Sequence, residues 1–466
     1  MAAGLTVWAP QAWVDGRWHF GVVLTVDSRG CWSSVTPGYS EAPAQAKRLA
    51  GPVLPGLVDA HGHAFQRAFA GLTEQRFQMR DDFWAWRDRM YQVAQRLNPA
   101  LLKAVAAQCF VELLAGGYTH RCEFHYLRGG SGFENNEDDW RMEDALIEAA
   151  EETGIGLTIC PVLYERSGFN SVGLQPQQQS FRLDAAGVWR AAERIDSLAH
   201  ERVSAGLAIH SLRAASADSI VQLLRLAAEV DWPIHMHVAE QTQEVEDCLA
   251  ATGMRPVQWL ARMNLLDSRW HLVHATHTDP EEIDSVAQAR ASVVICPSTE
   301  ANLGDGLTDV PRWRKAGVPI SIGSDSEIGR DWREELRWLE LGQRLVRRER
   351  GVCAEPTTWT SPAECLFEGG LGAGSAAAGL KGSGLCVGAR ADLLVADPLD
   401  PALLGLPPQR MLDALVFSSP VKPWRDVMVA GQWVIRDGHH PFGSRAAERF
   451  VSAMRVIWEE PVTCQN

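Results

Sequence analysis

The stretch Pro55-Gly-Leu-Val-Asp-Ala-His-Gly-His63 sets two histidines at the end of a short apolar run. Residues 53–58 predict a buried strand, and side chains two positions apart on a strand point to the same face. We therefore expect the imidazoles of His61 and His63 to lie side by side. Two neutral imidazoles in this arrangement supply half of a site for zinc or iron.

The composition limits the classes of protein to which the chain can belong. Of its 466 residues, 46% are hydrophobic and 22% are charged, which is typical of a soluble globular protein with room for a barrel and a smaller domain. The formal net charge of −14 disfavours nucleic acid and anionic membrane surfaces as partners. The ten cysteines include no Cys-x-x-Cys pair, and we find no signal-peptide pattern and no apolar stretch of bilayer length. These features predict a cytoplasmic protein.

The middle of the chain alternates between helical stretches and short apolar runs. The helical stretches include residues 99–116, 142–153, 188–199 and 216–229. The apolar runs beyond the first lie at residues 155–163, 206–209, 233–238, 271–275, 291–296 and 318–323. Repeated strand-then-helix units favour a parallel sheet covered by helices. About eight such units predict an α/β fold of the (β/α)₈ TIM-like barrel type.

Both ends of the chain have a different, β-rich character. Asp15-Gly16 is typical of a hairpin turn, residues 389–396 indicate a strand, and residues 427–437 indicate a hairpin around Ala430-Gly431. We therefore expect a small β-sandwich domain built from both chain termini. The predicted divisions are residues 1–54 with 381–440 for this domain, residues 55–380 for the barrel, and residues 441–466 for a C-terminal helical segment.

Polar residues follow several apolar runs at the point where each run ends. His237, with Glu240 three residues later, ends one run; His274 ends the next, and Asp325 follows the last. A polar residue at one strand end is usually only a hydrogen-bonded terminus. The repeated pattern instead indicates a catalytic face, because a barrel collects the carboxyl ends of its strands there. His120 lies outside these runs and is expected to be exposed.

Taken in order, His61-x-His63, His237 with Glu240, His274 and Ser324-Asp325 resemble the metal-dependent amidohydrolase superfamily over nearly the whole chain. The deaminase branch of that superfamily implies one metal, with His274 beside the attacking water. The implied metal ligands are His61, His63, His237 and Asp325.

The number of metals can be judged from the lysines. The chain has no lysine between Lys103 and Lys315, so it lacks the carboxylated lysine that bridges two metals in other members of the superfamily. One metal per subunit is therefore favoured, and a bridging carboxylate such as Glu123 is the remaining alternative. Three histidines and an aspartate suit zinc, and iron as well.

Longer blocks are similar to the formimidoylglutamate deiminase branch of the superfamily. They cover residues 63–72, 82–91, 123–126, 210–213, 237–241, 296–306 and 334–340. This likeness implies a homodimer that hydrolyses N-formimino-L-glutamate to N-formyl-L-glutamate and ammonia in histidine breakdown. It assigns substrate contact to Gln66, Arg87, Tyr126, His210 and Arg213. Two positions differ from the pattern: Glu327 stands where a histidine is frequent, and residues 127–130 lack a histidine pair.

The predicted residues are consistent with hydrolytic deamination. A bound Zn²⁺ lowers the pKa of its water from ~15.7 to about 7, so that hydroxide can attack the formimino carbon at neutral pH. Asp325 is expected to accept the proton of that water, His274 to orient it, and Glu240 to pass a proton to the departing ammonia. Arg87 and Arg213 suit a dicarboxylate, because a guanidinium binds a carboxylate through two parallel hydrogen bonds.

Other interpretations stay open at this point. The same barrel and metal would serve a deaminase of another amidine or of a ring such as guanine, although two arginines suit a dicarboxylate better than a neutral heterocycle. An inactive relative that acts as a binding protein would have lost at least one predicted ligand. Arg87 alone could form a surface ion pair with Asp82 or Asp88, and Tyr126 alone could be a core phenol.

Overall fold

The computed structural model describes residues 4–75, 83–130, 139–418, 421 and 423–459. Asp82, considered above as a partner of Arg87, lies outside these ranges. None of the helices in the described ranges combines the length and the apolar character needed to cross a membrane.

Strands occur at both ends of the chain and throughout its middle. In chain order they are β1 (Thr6–Val14), β2 (Arg17–Val26), β3 (Trp32–Thr36), β4 (Lys47–Arg48), β5 (Val53–Leu54), β6 (Leu57–Gly62), β7 (Tyr118–His125), β8 (Gly156–Leu163), β9 (Val203–Ala205), β10 (Leu207–Ile209), β11 (Ile234–Val238), β12 (Trp270–His274), β13 (Ser292–Ile295), β14 (Ile320–Ile322), β15 (Leu393–Ala396), β16 (Trp424–Val429) and β17 (Gln432–Ile435).

Helices separate most of the middle strands. In chain order they are α1 (Phe83–Ala94), α2 (Pro99–Ala115), α3 (Arg141–Thr153), α4 (Ala185–Ser197), α5 (Ala217–Leu226), α6 (Thr242–Thr252), α7 (Pro256–Arg262), α8 (Pro280–Ala289), α9 (Pro297–Leu303), α10 (Val310–Lys315), α11 (Trp332–Arg347), α12 (Pro362–Ala377), α13 (Met411–Phe417) and α14 (Gly443–Trp458). Short 3₁₀ helices lie at Ala64–Ala68, Pro176–Phe181 and Pro408–Arg410.

The middle strands form the predicted barrel. β6, β7, β8, β10, β11, β12, β13 and β14 are parallel neighbours in this order. The ring closes between its first and last strands, where Gly62 bridges Asp325 and the Asp325 N–H donates to His61 O at 3.0 Å. The approach is close, because a Cβ on Gly323 would lie 2.5 Å from His61 O. The (β/α)₈ TIM-like fold is thus confirmed, and the carboxyl ends of its strands meet on one face.

The second barrel strand, β7, is one that apolar periodicity does not predict. Its sequence Tyr-Thr-His-Arg-Cys-Glu-Phe-His is largely polar, yet all eight residues are buried. The polar side chains have partners inside the protein: Arg121 donates to Glu123, and His120 is hydrogen-bonded to Thr158. The expectation that His120 is exposed is wrong, since only 1% of its surface is accessible.

The strands from both termini join in one eight-stranded sheet. β1 pairs with β2 across Asp15-Gly16, whose φ angles of 49° and 72° are those of a type I′ turn. β5 links the two ends of the chain, because it pairs with β1 on one side and with β15 on the other. The expected small β domain from both termini is confirmed as one sheet, and its description as a sandwich remains our proposal. The residue limits of the three divisions remain our proposal.

Helix α12 ends inside the amino-terminal end of the barrel. Ala377 O accepts a hydrogen bond from His235 Nε2 at 2.8 Å, and Ala378 O accepts one from Thr158 Oγ1 at 2.9 Å. Both alanines also pack in an apolar cluster with residues of the barrel strands. The end of α12 therefore fills the barrel opposite the face that collects the carboxyl ends.

Candidate active site

Four polar side chains meet at the carboxyl ends of the barrel strands. His61 lies at the end of β6 with His63 just after it, His237 lies in β11, and Asp325 follows β14. One ligand atom from each residue lies within 4.8 Å of the others, and all four residues are buried. The structure therefore brings together the four predicted metal ligands, His61, His63, His237 and Asp325, which we call the ligand cluster.

The orientation of these groups fits a bound divalent cation. His63 Nδ1 lies 2.9 Å from Phe124 O, which can only accept, so Nδ1 carries a hydrogen, and in the neutral ring that a metal requires Nε2 carries the lone pair. That lone pair faces Asp325 Oδ1 at 3.2 Å. A lone pair and a carboxylate oxygen repel each other unless a cation lies between them. The Nε2 atoms of His61 and His237 face each other in the same cluster at 3.0 Å.

Burial keeps two of these histidines neutral. Desolvation lowers the pKa of His61 to about 3, although the nearby Asp325 opposes the shift. Desolvation also lowers the pKa of His237 well below its usual range, and the neighbouring His61 adds to the effect. A neutral imidazole is the form that binds a metal, so the protonation states match the geometry.

Glu240 and His274 lie beside the ligand cluster. His274 Nε2 is 3.7 Å from Glu240 Oε1 and 3.9 Å from Asp325 Oδ2, while its Nδ1 faces Glu300 Oε1 at 3.4 Å. Burial alone would lower the pKa of His274, but these carboxylates raise it to about 10. Burial raises the pKa of Glu240 to about 7, with His274 opposing the shift and Asp325 adding to it. A carboxyl group that titrates near neutrality can both accept and release a proton.

Glu300 and Asp305 are buried carboxyl groups that the sequence analysis did not single out. Glu300 contacts the far nitrogen of His274. Asp305 forms a cluster with Glu240 and His274, in which one atom of each lies within 4.8 Å of the others. Asp305 Oδ1 accepts from Gln241, and burial, followed by the charge of Glu240, raises the pKa of Asp305 to about 9. Both residues lie within residues 296–306, one of the stretches that resemble the formimidoylglutamate deiminase branch. That resemblance is the signal from which they could have been predicted.

The backbone is strained where it presents these groups. Ala239, His274 and Asp325 have φ angles of 50°, 68° and 47°, in the left-handed region that residues other than glycine seldom adopt. Glu327 follows with a φ of 63°. Such conformations persist where surrounding contacts hold them, and they recur at functional sites.

One cavity connects the ligand cluster with the five predicted substrate-binding residues. Its lining includes Gln66, Arg87, Tyr126, His210 and Arg213 together with His63, His237, Glu240, His274 and Asp325. Arg87 and Arg213 thus line the same cavity as three of the four predicted metal ligands.

Gln66 and Tyr126 form a fixed pair on the cavity wall. Gln66 Nε2 donates to Tyr126 Oη at 3.0 Å, and the Tyr126 ring packs 4.9 Å from the His63 ring. Among the described residues, the buried Gln66 Oε1 has no hydrogen-bond donor. A buried carbonyl oxygen that faces the cavity is suited to accept an N–H from a ligand.

Comparison with known proteins agrees with this geometry. The amidohydrolase family model matches residues 53–434. The chain belongs to the amidohydrolase family. It is 39% identical over 450 residues to the formimidoylglutamate deiminase of Pseudomonas aeruginosa, which spans 96% of this chain and 98% of that protein. The formimidoylglutamate deiminase branch is thereby confirmed as a relative.

Two further relatives agree with the assignment to the amidohydrolase family. The crystal structure of an amidohydrolase from Brucella melitensis is 35% identical, with a TM-score of 0.91 over 98% of this chain and 100% of that one. The 8-oxoguanine deaminase of Pseudomonas aeruginosa is 29% identical over 403 residues, which cover 83% of this chain and 82% of that protein.

The structure gives a physical reason for Glu327, where this amidohydrolase departs from the pattern of its branch. The buried Arg121 guanidinium pairs with Asp59 at 2.9 Å, with Glu123 at 2.7 Å and with Glu327 at 2.6 Å. Glu327 thus supplies the third carboxylate around one cation. Glu123 also accepts the Ala64 N–H at 2.9 Å, so its oxygens are engaged by Arg121 and by the backbone.

The second departure, residues 127–130, supports the cavity wall from behind. Arg128 forms a buried ion pair with Glu143. The backbone N–H groups of Arg128 and Gly129 both donate to Ser180 O, at 2.8 and 3.1 Å. Ser180 belongs to the 3₁₀ helix Pro176–Phe181, so this segment anchors that helix.

Proposed function

We propose that this amidohydrolase hydrolyses N-formimino-L-glutamate to N-formyl-L-glutamate and ammonia, as a step in histidine breakdown. The observation that carries the proposal is the shared cavity, in which Arg87 and Arg213 lie with Gln66 and Glu240 beside the ligand cluster. The substrate has a cationic formimino group and two carboxylates. The 39% identity to formimidoylglutamate deiminase of Pseudomonas aeruginosa, over nearly the full length of both chains, supports the same substrate.

The charge of the molecule explains why fixed arginines are needed. A net charge of −14 repels a dicarboxylate at long range. Arg213 is 9% exposed, and its Nε lies 4.0 Å from Glu244 Oε2. Glu244 in turn accepts the Ala239 N–H at 3.1 Å, next to the end of β11. The guanidinium is therefore held in place before the substrate arrives, which reduces the entropy lost on binding.

We assign one zinc ion per subunit to His61, His63, His237 and Asp325, a ligand set that iron also suits. Bound there, a divalent metal acts as a Lewis acid and activates water at neutral pH. The burial of the four residues excludes competing solvent from the ligand atoms.

The remaining polar residues are assigned to proton transfer and positioning. Asp325 accepts the proton of the attacking water, and His274, protonated between its carboxylates, donates to the oxygen that adds to the formimino carbon. Glu240 delivers a proton to the amino nitrogen, because ammonia leaves readily only when that nitrogen is protonated. The carbon–nitrogen bond then breaks, the proton left on the oxygen passes to the ionised Glu240, and the oxygen remains as the formyl group. Gln66 Oε1 is suited to accept an N–H of the substrate.

We also propose that the protein is a cytoplasmic homodimer. All nine cysteines within the described ranges are free, which fits a reducing compartment. The dimer follows from the likeness to the formimidoylglutamate deiminase branch. Light scattering of the purified chain will give the mass of one or of two subunits.

The test of the reaction is ammonia release by the zinc-loaded protein. N-formimino-L-glutamate is compared with N-formimino-L-aspartate, guanine and cytosine, and metal content is measured on the same sample. We expect the glutamate compound to give the highest kcat/KM. Release from guanine but from neither formimino acid, in protein that holds one metal per chain, would refute the proposal and indicate a ring deaminase.

A further inference from the structure

We infer that the adjacent hydroxyls of Tyr91 and Tyr164 donate at least one hydrogen bond to the side-chain carboxylate of the substrate, and that Gln178 sets the direction of the hydroxyl hydrogens. The inference rests on the proposed function. It assigns the recognition of the substrate carboxylate that is farthest from the formimino carbon.

The orientation of the Gln178 amide is fixed by its neighbours. The Gln175 N–H donates to Gln178 Oε1 at 3.0 Å, so this atom is the carbonyl oxygen. The other end of the side chain is therefore the NH₂ group, which has two hydrogens to donate. Gln178 Nε2 lies 3.0 Å from Tyr91 Oη and 3.1 Å from Tyr164 Oη. One amide group thus donates to both phenols.

The hydrogen-bond inventory of the two phenols determines what they can offer to a ligand. A phenol oxygen has lone pairs and a single hydrogen. Because Gln178 occupies a lone pair on each oxygen, each hydroxyl hydrogen must point elsewhere. If Tyr164 donates to Tyr91 or the reverse, one hydrogen is still available. Burial, together with the adjacent Tyr91, raises the pKa of Tyr164 well above its usual range, so Tyr164 keeps its hydrogen.

Both phenols lie on the same cavity as the two arginines. Tyr91 and Tyr164 are 3% and 5% exposed and belong to the cavity lining. The Arg87 guanidinium lies 5.5 Å from the centre of the Tyr91 ring, and the Tyr164 ring lies 4.5 Å from the His210 ring. This part of the wall therefore offers hydroxyl hydrogens next to guanidinium N–H groups, which is a donor set suited to a carboxylate.

The Tyr126 ring contacts a predicted metal ligand directly, whereas Tyr91 and Tyr164 contact Phe181, a neighbour of Tyr126. The Tyr126 ring contacts the ring of His63 at 4.9 Å and that of Phe181 at 5.0 Å. The rings of Tyr91 and Tyr164 lie 5.7 and 5.8 Å from the same Phe181 ring. A formimino group at the ligand cluster would direct the longer arm of glutamate toward these hydroxyls. The shorter arm of aspartate would end before them.

The experiment compares Tyr91→Phe, Tyr164→Phe and Gln178→Glu with the parent protein. Each Tyr→Phe change removes one hydroxyl. Gln178→Glu keeps both hydroxyls and the acceptor for Gln175, but it replaces the amide donor by an acceptor that draws the hydroxyl hydrogens away from the cavity. We expect each variant to raise KM for N-formimino-L-glutamate about tenfold while kcat changes less than about threefold. Tyr118→Phe, at a buried tyrosine outside the cavity, is the matched control.

A second substrate distinguishes carboxylate binding from a structural role. N-formimino-L-norvaline has the same reacting group and a side chain of similar length without its carboxylate. We expect the variants to leave its kcat/KM unchanged. Equal losses on both substrates, or an unchanged KM for the glutamate compound in an active parent background, would overturn the inference alone. A parent protein that releases no ammonia from N-formimino-L-glutamate would overturn the proposed function and this inference with it.

Discussion

His63 shows how one hydrogen bond prepares a side chain for a metal. The carbonyl of Phe124, on the neighbouring strand β7, fixes the hydrogen on Nδ1 at 2.9 Å and turns the lone pair of Nε2 into the cluster. Asp325 is placed by the bonds that close the barrel. The ligand geometry is therefore built into the strand pairing, and it does not depend on a mobile loop.

Loss of His63 is expected to release the metal. His63→Ala removes one of four ligands, so we expect metal content, measured by plasma mass spectrometry after dialysis, to fall from about one ion per chain to under about one tenth. His439→Ala is the matched control, because His439 is exposed and far from the cluster in sequence. Full metal content in the His63→Ala protein would contradict the assigned ligand set.

Loss of Arg213 is expected to weaken substrate binding. A hydrogen bond to a charged group is worth about 1.5–3 kcal/mol, so Arg213→Ala should raise KM for N-formimino-L-glutamate roughly 10- to 150-fold. Arg225→Ala, at an exposed arginine on the next helix, serves as the control. Steady-state kinetics will show the difference. An unchanged KM would mean that Arg213 does not contact the substrate.

At the level of elements, apolar runs were sufficient to predict most of the barrel and its face. The runs that end at His61, His237, His274 and Asp325 are strands, and the structure gathers these side chains together. Apolar periodicity did not predict β7, because its side chains are largely polar and have buried partners, such as Glu123 for Arg121 and Thr158 for His120. A polar strand of this kind cannot be distinguished from an exposed one until its partners are known.

Gln178 and Asp305 were not predicted from the sequence, and the reason is similar for both. Gln178 acts on Tyr91, which is 87 positions away in the chain. Asp305 lies in the block at 296–306, but only the structure shows that it clusters with Glu240 and His274. Neither residue type is unusual where it stands, and only the closed barrel makes them neighbours. The four proposed ligands could be predicted because their residue types are distinctive, whereas these partners are defined by contact.

Two glycines test how tightly different elements are packed. A Cβ on Gly62 would lie 2.4 Å from Arg121 Nη2, a guanidinium that three carboxylates hold in place. Gly369, in helix α12, has nothing within 4 Å of such a Cβ. We expect Gly62→Ala to lower the free energy of unfolding and Gly369→Ala to raise it by about 0.5–1 kcal/mol, because alanine favours the helix. Urea unfolding will measure both. Changes of the same sign would contradict this account.

On the scale of the whole molecule, His120 joins the barrel to the sheet from the termini. Arg390 Nη1 donates to His120 Nδ1 at 2.6 Å, and Nε2 therefore carries the hydrogen that it donates to Thr158 Oγ1 at 2.7 Å. Thr119 Oγ1 donates to Asp392 at 2.8 Å in the same interface. A second proton on His120 would place a cation against Arg390.

This interface predicts acid sensitivity of the fold. Burial, and then the charge of Arg390, lowers the pKa of His120 well below its usual range. The unfolded chain takes up a proton below about pH 6.5 and the folded chain does not, so stability is lost as the pH falls, by about 1.4 kcal/mol per pH unit for one proton. His120→Gln should reduce this slope in urea unfolding series between pH 7.5 and 5. An identical slope in the variant would show that His120 does not contribute.

The position of β5 in the sheet has a consequence for synthesis. It pairs with β1 near the beginning of the chain and with β15 near its end. During translation, the first strands leave the ribosome long before β15 exists, and they present an unpaired edge while the barrel is still being made. The sheet can therefore be completed only after the last part of the chain has been synthesised. A truncation that removes β15 would then leave β5, near the amino terminus, without one of its pairing partners.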